Sequence, residues 1–238
     1  CSILTPIMVQ KATVVRDIPL SLGCALFLLV LGVSGLGDKA GMTLGHADGV
    51  IFLIVFAGYI FTMVRSAMKA RAAGQKVEIE GVEECDNMKE LSYGKSILFL
   101  IVGAAAIAFG GDLTVDTASR IAIELGMSQT LVGLTIVSIG TSLPELVTSV
   151  VAARKNEVDM ALGNVIGSNI FNILLILGVA AAISPVTFIM ENIIDIIILI
   201  IMSTVVWIFA WTSKKINRKE GIIMLLVYVV YMVYICIR

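Results

Sequence analysis

The sequence predicts an all-α integral membrane protein with seven transmembrane helices, and three observations carry that reading. Hydrophobic residues make up 58% of the 238 and charged residues only 15%, where a soluble domain carries about 25% charged. With a mean hydropathy of +1.01, the chain has too little polar surface to cover itself in water. Seven apolar segments follow, at Ile18–Leu36, Gly49–Val64, Ser96–Leu113, Thr130–Ala153, Met160–Ile183, Ile193–Trp211 and Gly221–Ile237. Each approaches the about 20 residues that cross a bilayer as helix. None alternates in polarity as a barrel strand would, and only helices satisfy their backbone groups within the segment. Finally, threading the seven spans back and forth puts 14 of the 17 Lys and Arg on the N-terminal side and leaves Lys39, Arg120 and Arg238 opposite. By the positive-inside rule the polar loop 67–94 is cytoplasmic and the C-terminus outside, in a cell membrane crossed many times with lipid as its partner.

The third span is too long for an upright crossing. Its apolar part continues through Asp112, Asp116, Arg120 and Glu124 before a break at Gly126. About 30 residues of helix measure ~45 Å, which predicts a tilt. Asp112, Asp116 and Arg120, at i, i+4 and i+8, read as pairs along the helix near the outer surface, with an ion path as the alternative.

Two stretches share one order of features. LTPI at 4–7 leads into an apolar span, a turn and DGVIFLIVFAGY at 48–59; ISPV at 183–186 leads into an apolar span, a turn and EGIIMLLVYVVY at 220–231. If this is a repeat, the second copy has three more spans ahead of it and the first copy lacks them. The chain also opens on Cys1, with no basic-then-apolar signal segment. The expectation is a ten-helix protein of two five-span repeats, inverted because five is odd. Residues 1–66 are then the last two helices of the first repeat, 67–94 a cytoplasmic loop, and 95–238 a complete second repeat.

Most polar residues have bland readings. The four cysteines form no CxxC pair and serve as small apolar side chains, and His46 faces water in a short loop. Asp159 is a helix-start acid and Asp195 interfacial. No cofactor motif and no basic patch suited to nucleic acid occurs. Gly35-Leu36-Gly37-Asp38 matches the GxGD pattern of intramembrane aspartyl proteases, but no second aspartate in a YD motif accompanies it. A transporter, not an enzyme, is expected.

The chemistry sits in spans four and five. SIGTSLPELVTS at 138–149 places Ser138, Thr141, Ser142, Glu145, Thr148 and Ser149 on one helical stripe. Pro144 lacks an N–H and crowds the carbonyl of Gly140, freeing backbone oxygen beside the hydroxyls. Hydroxyls, carbonyls and one carboxylate suit hard cations such as Na⁺ and Ca²⁺. A carboxylate at the depth of Glu145 costs ~3 kcal/mol or more and marks an ion pathway by default. In ALGNVIGSNIFNILLILG, at 161–178, Asn164, Ser168 and Asn172 share a face, and Gly163 and Gly167 form a GxxxG. Ser168 and Asn172 read with Glu145 as cation ligands. For Asn164 and Asn169, ligation and helix-to-helix adhesion are both open.

These two segments resemble the second α-repeat of the calcium/cation antiporters, the sodium/calcium exchanger superfamily, and prokaryotic members above all, from about Gly110 to Pro185. The resemblance implies a ten-helix exchanger fold and outward movement of Ca²⁺ against Na⁺, with sliding of the long third span. It implies ion ligands at Ser138 (by its carbonyl), Thr141, Ser142, Glu145, Ser168 and Asn172, with Glu145 shared between the two ions. Ca²⁺/H⁺ and Na⁺,K⁺-dependent exchange are the alternatives. Ser138 stands where alanine is common, and Asn172 where some relatives carry Asp, so this half supplies one negative charge. The other carboxylate is expected from the absent first α-repeat, and the chain alone is expected not to transport.

Overall fold

The structure, a computed structural model, describes residues 2–3, 6–34, 42–72, 92–155, 157–213 and 215–237. The GLGD stretch and most of the 67–94 loop lie outside them. Six helices are long and apolar enough to cross a membrane, and a bent pair makes up a seventh span. In chain order they are α1 (Thr13–Ser34), α2 (His46–Ala72), α3 (Tyr93–Glu124), the bent pair α4 (Gly133–Thr141) and α5 (Leu143–Arg154), α6 (Val158–Ile183), α7 (Met190–Ser213) and α8 (Arg218–Ile237). All seven expected spans are present, and α3 is one unbroken helix of 32 residues.

Four two-residue strands escaped the sequence reading: β1 (Ile7–Met8), β2 (Thr43–Leu44), β3 (Val186–Thr187) and β4 (Lys215–Ile216). They are too short to carry a periodic signal, yet they organise the fold. β1 directly follows Pro6 and β3 directly follows Pro185, whereas β2 and β4 each precede an acid–Gly helix start. β1 pairs antiparallel with β4, Ile7 opposite Ile216 and Met8 opposite Lys215. β2 pairs antiparallel with β3, Leu44 opposite Val186 and Thr43 opposite Thr187. Exchanging the two repeat units turns the first set of pairs into the second. That reciprocity is the signature of a two-fold relation, in which each contact occurs twice with the partners swapped. The two ribbons sit at opposite ends of α1, so the relation inverts one unit against the other.

The helix starts repeat the symmetry. Asp48 Oδ2 accepts the backbone N–H of Gly45 at 2.9 Å, and Glu220 Oε2 accepts that of Asn217 at 2.7 Å. Each acid reaches back three residues to an otherwise orphaned N–H, half of a capping box. The glycines that follow make room for a neighbour. A Cβ on Gly49 would collide with the backbone of α6 at Gly178, Ala181 and Ala182; one on Gly221 would meet Ser2 and Ile3. Ala181 and Ala182 lie four and three residues before Pro185, as Ser2 and Ile3 do before Pro6. His46, expected merely to face water, places Nδ1 2.9 Å from the Ala182 carbonyl and ties this crossing.

One irregularity also has a register explanation. Asp17 comes eleven residues after Pro6, but Asp195 only ten after Pro185. A π-helical turn at Thr13–Asp17 takes up the extra residue. Trp207 Nε1 of α7 donates to the Val14 carbonyl in that turn at 2.8 Å, joining α1 to its counterpart. The main core lies around α1, where Cys24, Ala25, Leu28 and Leu31 meet Phe52 of α2, Ile170, Ile173 and Leu174 of α6, and Ile196 of α7. The buried Cys24 is packing, as expected.

Gly49→Val forces a side chain into α6 backbone, which cannot swing aside, whereas Gly221→Val meets first the tip of a serine side chain. Overpacking costs about 1–3 kcal/mol. In detergent, thermal unfolding is expected to show the larger loss for Gly49→Val, and equal losses would contradict the described crossing.

Candidate cation site

The site forms where α4 stops and α5 begins. The two axes differ by 44°. Pro144 offers no N–H to Gly140, and its ring disfavours a straight continuation. Ser142, at φ −93° and ψ 0°, makes the corner. Its N–H bonds to the Ile139 carbonyl at 3.1 Å, and its own carbonyl accepts from Leu146 N–H at 3.0 Å. The carbonyl end of α4 and the N–H end of α5 therefore meet within the span. Half-helix ends at mid-membrane are an arrangement that transporters use to hold ions. A π-helical turn, Gly133–Val137, leads directly into Ser138.

Ser138, Thr141, Ser142 and Glu145 all lie at this corner. Ser138, Thr141 and Ser142 are exposed, and Glu145 is half-buried. Thr141 Oγ1 donates to the Ser138 carbonyl at 3.1 Å, which leaves a lone pair of that oxygen available. Glu145 Oε2 is buried and has no hydrogen-bond partner. Its carboxylate sits in the first turn of α5, where the helix dipole favours negative charge.

Asn164 fixes α6 against this corner. Its Nδ2 lies 3.1 Å from the Glu145 carbonyl, 3.0 Å from Thr148 Oγ1 and 2.9 Å from Ser149 Oγ. Two protons serve three acceptors, so the Nδ2 of Asn164 is committed to α5, which is the helix-adhesion role, while its Oδ1 takes no part in these bonds. Ser168 and Asn172 continue the same face of α6 one and two turns on. Ser168 Oγ donates to Val165 O at 3.0 Å. Asn172 is exposed and opens a further π-helical stretch, Asn172–Leu177. No hydrogen bond joins either residue to Glu145 or Thr141, so the structure brings together the four α4–α5 residues and leaves the two on α6 alongside.

α3 crosses directly over the corner. A Cβ on Gly140 would strike the Val115 side chain, so a glycine is what lets the two helices approach. Beside this crossing is a cavity of about 350 Å³, whose lining includes Asp112, Val115, Asp116, Gly140, Thr141 and Pro144. The expected pairing of Asp112 and Asp116 with Arg120 is not observed, although all three residues are described. The carboxylates turn instead toward the cavity they line, while Arg120 lies a turn beyond it. Asp159 stands at the start of α6 as expected and accepts from Gln10 Nε2 at 2.7 Å.

The chain and its fold have counterparts in known proteins. Residues 95–237 match the family described as sodium/calcium exchanger protein. An uncharacterized membrane protein of Methanocaldococcus jannaschii is 34% identical over 231 residues, covering 96% of this chain and 68% of its own length. This chain belongs to the sodium/calcium exchanger family. Within the family it is also similar to a putative antiporter, CaxA, of Alkalimonas amylolytica, at 32% identity over 97% of the chain and 70% of that protein. The sodium/calcium exchanger from Methanococcus jannaschii superposes with a TM-score of 0.73 at 31% identity, over 98% of this chain and 68% of that one. The chain thus spans about two thirds of these relatives and matches part of the exchanger fold.

An intramembrane hydrogen bond contributes about 0.6 kcal/mol on average. Asn164→Ala is expected to cost about 1–2 kcal/mol and to lower the thermal midpoint more than Ser149→Ala does. Equal midpoints for Asn164→Ala and the unsubstituted protein would show that the clamp is not made.

Proposed function

We propose that this chain is the larger part of a secondary active antiporter that exchanges Ca²⁺ for Na⁺ by alternating access. Its second-half ion ligands are the Ser138 carbonyl, Thr141, Ser142, Glu145, Ser168 and Asn172. The observation that carries this reading is the orphaned, buried Glu145 Oε2 at a helix break. A carboxylate oxygen held in hydrocarbon without a donor is costly. In a corner that also carries the Ser138 carbonyl and the Thr141 and Ser142 hydroxyls, it belongs to the donor set of a hard cation. Cation binding supplies the missing partner.

One carboxylate neutralises half the charge of Ca²⁺, and the hydroxyl stripe at Ser138, Thr141 and Ser142 stands exposed. Both points favour a second half-site from three helices ahead of residues 1–66, with 95–238 as the complete second repeat. The reciprocal ribbons and the two-thirds coverage of the relatives support that division. The charge distribution supports loop 67–94 on the cytoplasmic face and the C-terminus outside.

The test is uptake of Ca²⁺ into vesicles carrying the full-length protein. A Na⁺ gradient is expected to drive uptake, Glu145→Gln to abolish it, and Thr141→Ala to raise KM for Ca²⁺. Uptake that follows a pH gradient and ignores Na⁺ would overturn the assignment of the coupling ion. The 238 residues alone are expected to give no Na⁺-driven flux.

A further inference from the structure

We propose that the end of the molecule bearing the β1–β4 ribbon holds an anionic phospholipid headgroup against Trp211, Arg218 and Lys219, with the acyl chains along the apolar faces of α7 and α8. Such a site is independent of which cations are exchanged.

The internal two-fold supplies a control. The two ribbons are built alike, so a residue that the fold itself requires has an equivalent at both. Sixteen residues after Asp195 comes Trp211, and sixteen after Asp17 comes Val33; Arg218 and Lys219 precede Glu220 as His46 and Ala47 precede Asp48. An indole and two cations thus stand at one end of the frame, where valine, histidine and alanine serve at the other. Helix energetics do not ask for the cations either. They lie in the first turn of α8, where the dipole disfavours positive charge.

Exposure follows the same correspondence. The helices proposed above to precede residue 1 would flank the β1–β4 ribbon as α3–α6 flank the β2–β3 ribbon. With α3–α6 in place, Val33 is 51% exposed, and His46 and Ala47 are exposed. Their counterparts Trp211, at 57%, Arg218 and Lys219 are exposed as well. Lys215 is exposed but its counterpart Thr43 is buried, so Lys215 is not part of the surface. Beyond the two cations, Ile223 and Leu226 of α8 are exposed, as are Ile51 and Ile54 at the same positions of α2. Ile208 stands one turn from Trp211 and is exposed like its counterpart Val30. The result is a lipid-facing strip with a basic and aromatic head.

The chemistry of that head suits a phosphate. Trp211 is the third residue from the end of α7, and tryptophan collects at headgroup level. Its ring is held edge-on by Trp207, with centroids 5.7 Å apart and planes at 83°. Trp207 is in turn bonded to the Val14 carbonyl. The indole N–H of Trp211 has no acceptor among the described residues, so it remains for a phosphate or ester oxygen. Six residues separate Trp211 from Arg218, and they fold back through β4. The indole and the two cations therefore share one edge of the membrane. Guanidinium and ammonium groups make charge-assisted bonds to phosphate, and the adjoining carboxylate of Glu220 is engaged by Asn217 N–H. A zwitterionic headgroup carries its own cation and gains little here, whereas an anionic one brings the net charge that these residues attract.

The experiment follows the thermal midpoint of the full-length protein in non-ionic detergent as phosphatidylglycerol, phosphatidylcholine or inorganic phosphate is added. Phosphatidylglycerol is expected to raise the midpoint to a plateau, and the other two to leave it in place. The concentration for half the rise should increase about five-fold for each of Arg218→Gln and Lys219→Gln. Arg154→Gln/Lys155→Gln removes two charges at the α5–α6 turn instead and should leave that concentration unchanged. Each variant is compared with itself before lipid is added, so a lower starting midpoint does not obscure the result. An equal increase in the Arg154/Lys155 variant, an equal rise with phosphatidylcholine, or a rise with inorganic phosphate overturns the lipid site. A second measurement places brominated lipid in vesicles of phosphatidylcholine that carry the full-length protein. Brominated phosphatidylglycerol is expected to quench tryptophan fluorescence more than the same fraction of brominated phosphatidylcholine, and Trp211→Phe to remove the difference. Equal quenching by the two lipids, or a difference that survives Trp211→Phe, would also overturn the proposal.

Discussion

A helix within hydrocarbon keeps its backbone hydrogen bonds unless something other than lipid meets the break. The missing N–H at Pro144 imposes such a break in the middle of a span, and much of the remaining structure answers it. The corner at Ser142 turns the chain by 44° and brings carbonyl and amide ends together. α3 covers one side through the close approach at Gly140 and Val115. α6 covers another, held by the three contacts of Asn164. The faces left over carry hydroxyls and one unpartnered carboxylate oxygen, and it is there that a cation can do what a peptide N–H does elsewhere.

The scaffold around the break is rigid for a different reason. α1 and α7 are counterparts, and they hold each other through Trp207 and through the two strand ribbons. Two-residue strands bring little stability by themselves, but each is anchored by a capped helix start and a glycine-tight crossing. Register is fixed at both ends of α1, so the helix cannot slide without breaking both ribbons. α3 has no such ties. None of the residues in its apolar window is buried, and its contacts concentrate near the α4–α5 corner.

Much of this was legible in the sequence because hydrophobic spans, charge asymmetry and a proline beside Gly140 act locally. The seven spans and the unbroken α3 follow from apolar length alone, and the corner from Pro144. The strands were hidden because two residues have no period, and because Ile7 meets a partner more than two hundred positions away. The surroundings of Asp112 and Asp116 were hidden for a similar reason. Their i, i+4 spacing to Arg120 suggests local pairing, whereas the cavity facing them is built by another helix. Asn164 was ambiguous in isolation, since an amide both ligates cations and bridges helices; only the position of α5 reveals the bridging role of its Nδ2.

The reciprocal ribbons also constrain the order of assembly. β1 emerges from the ribosome near the start of this chain, but its partner Lys215–Ile216 lies about 208 residues later. At about 5–20 residues per second, α1 resides in the bilayer for roughly 10–40 s before β4 exists. During that interval the Val14 carbonyl has no Trp207 to meet it, and α1 lacks the ribbon to β4. The frame that α1 and α7 make together therefore closes last, when the final two helices of this chain have been made.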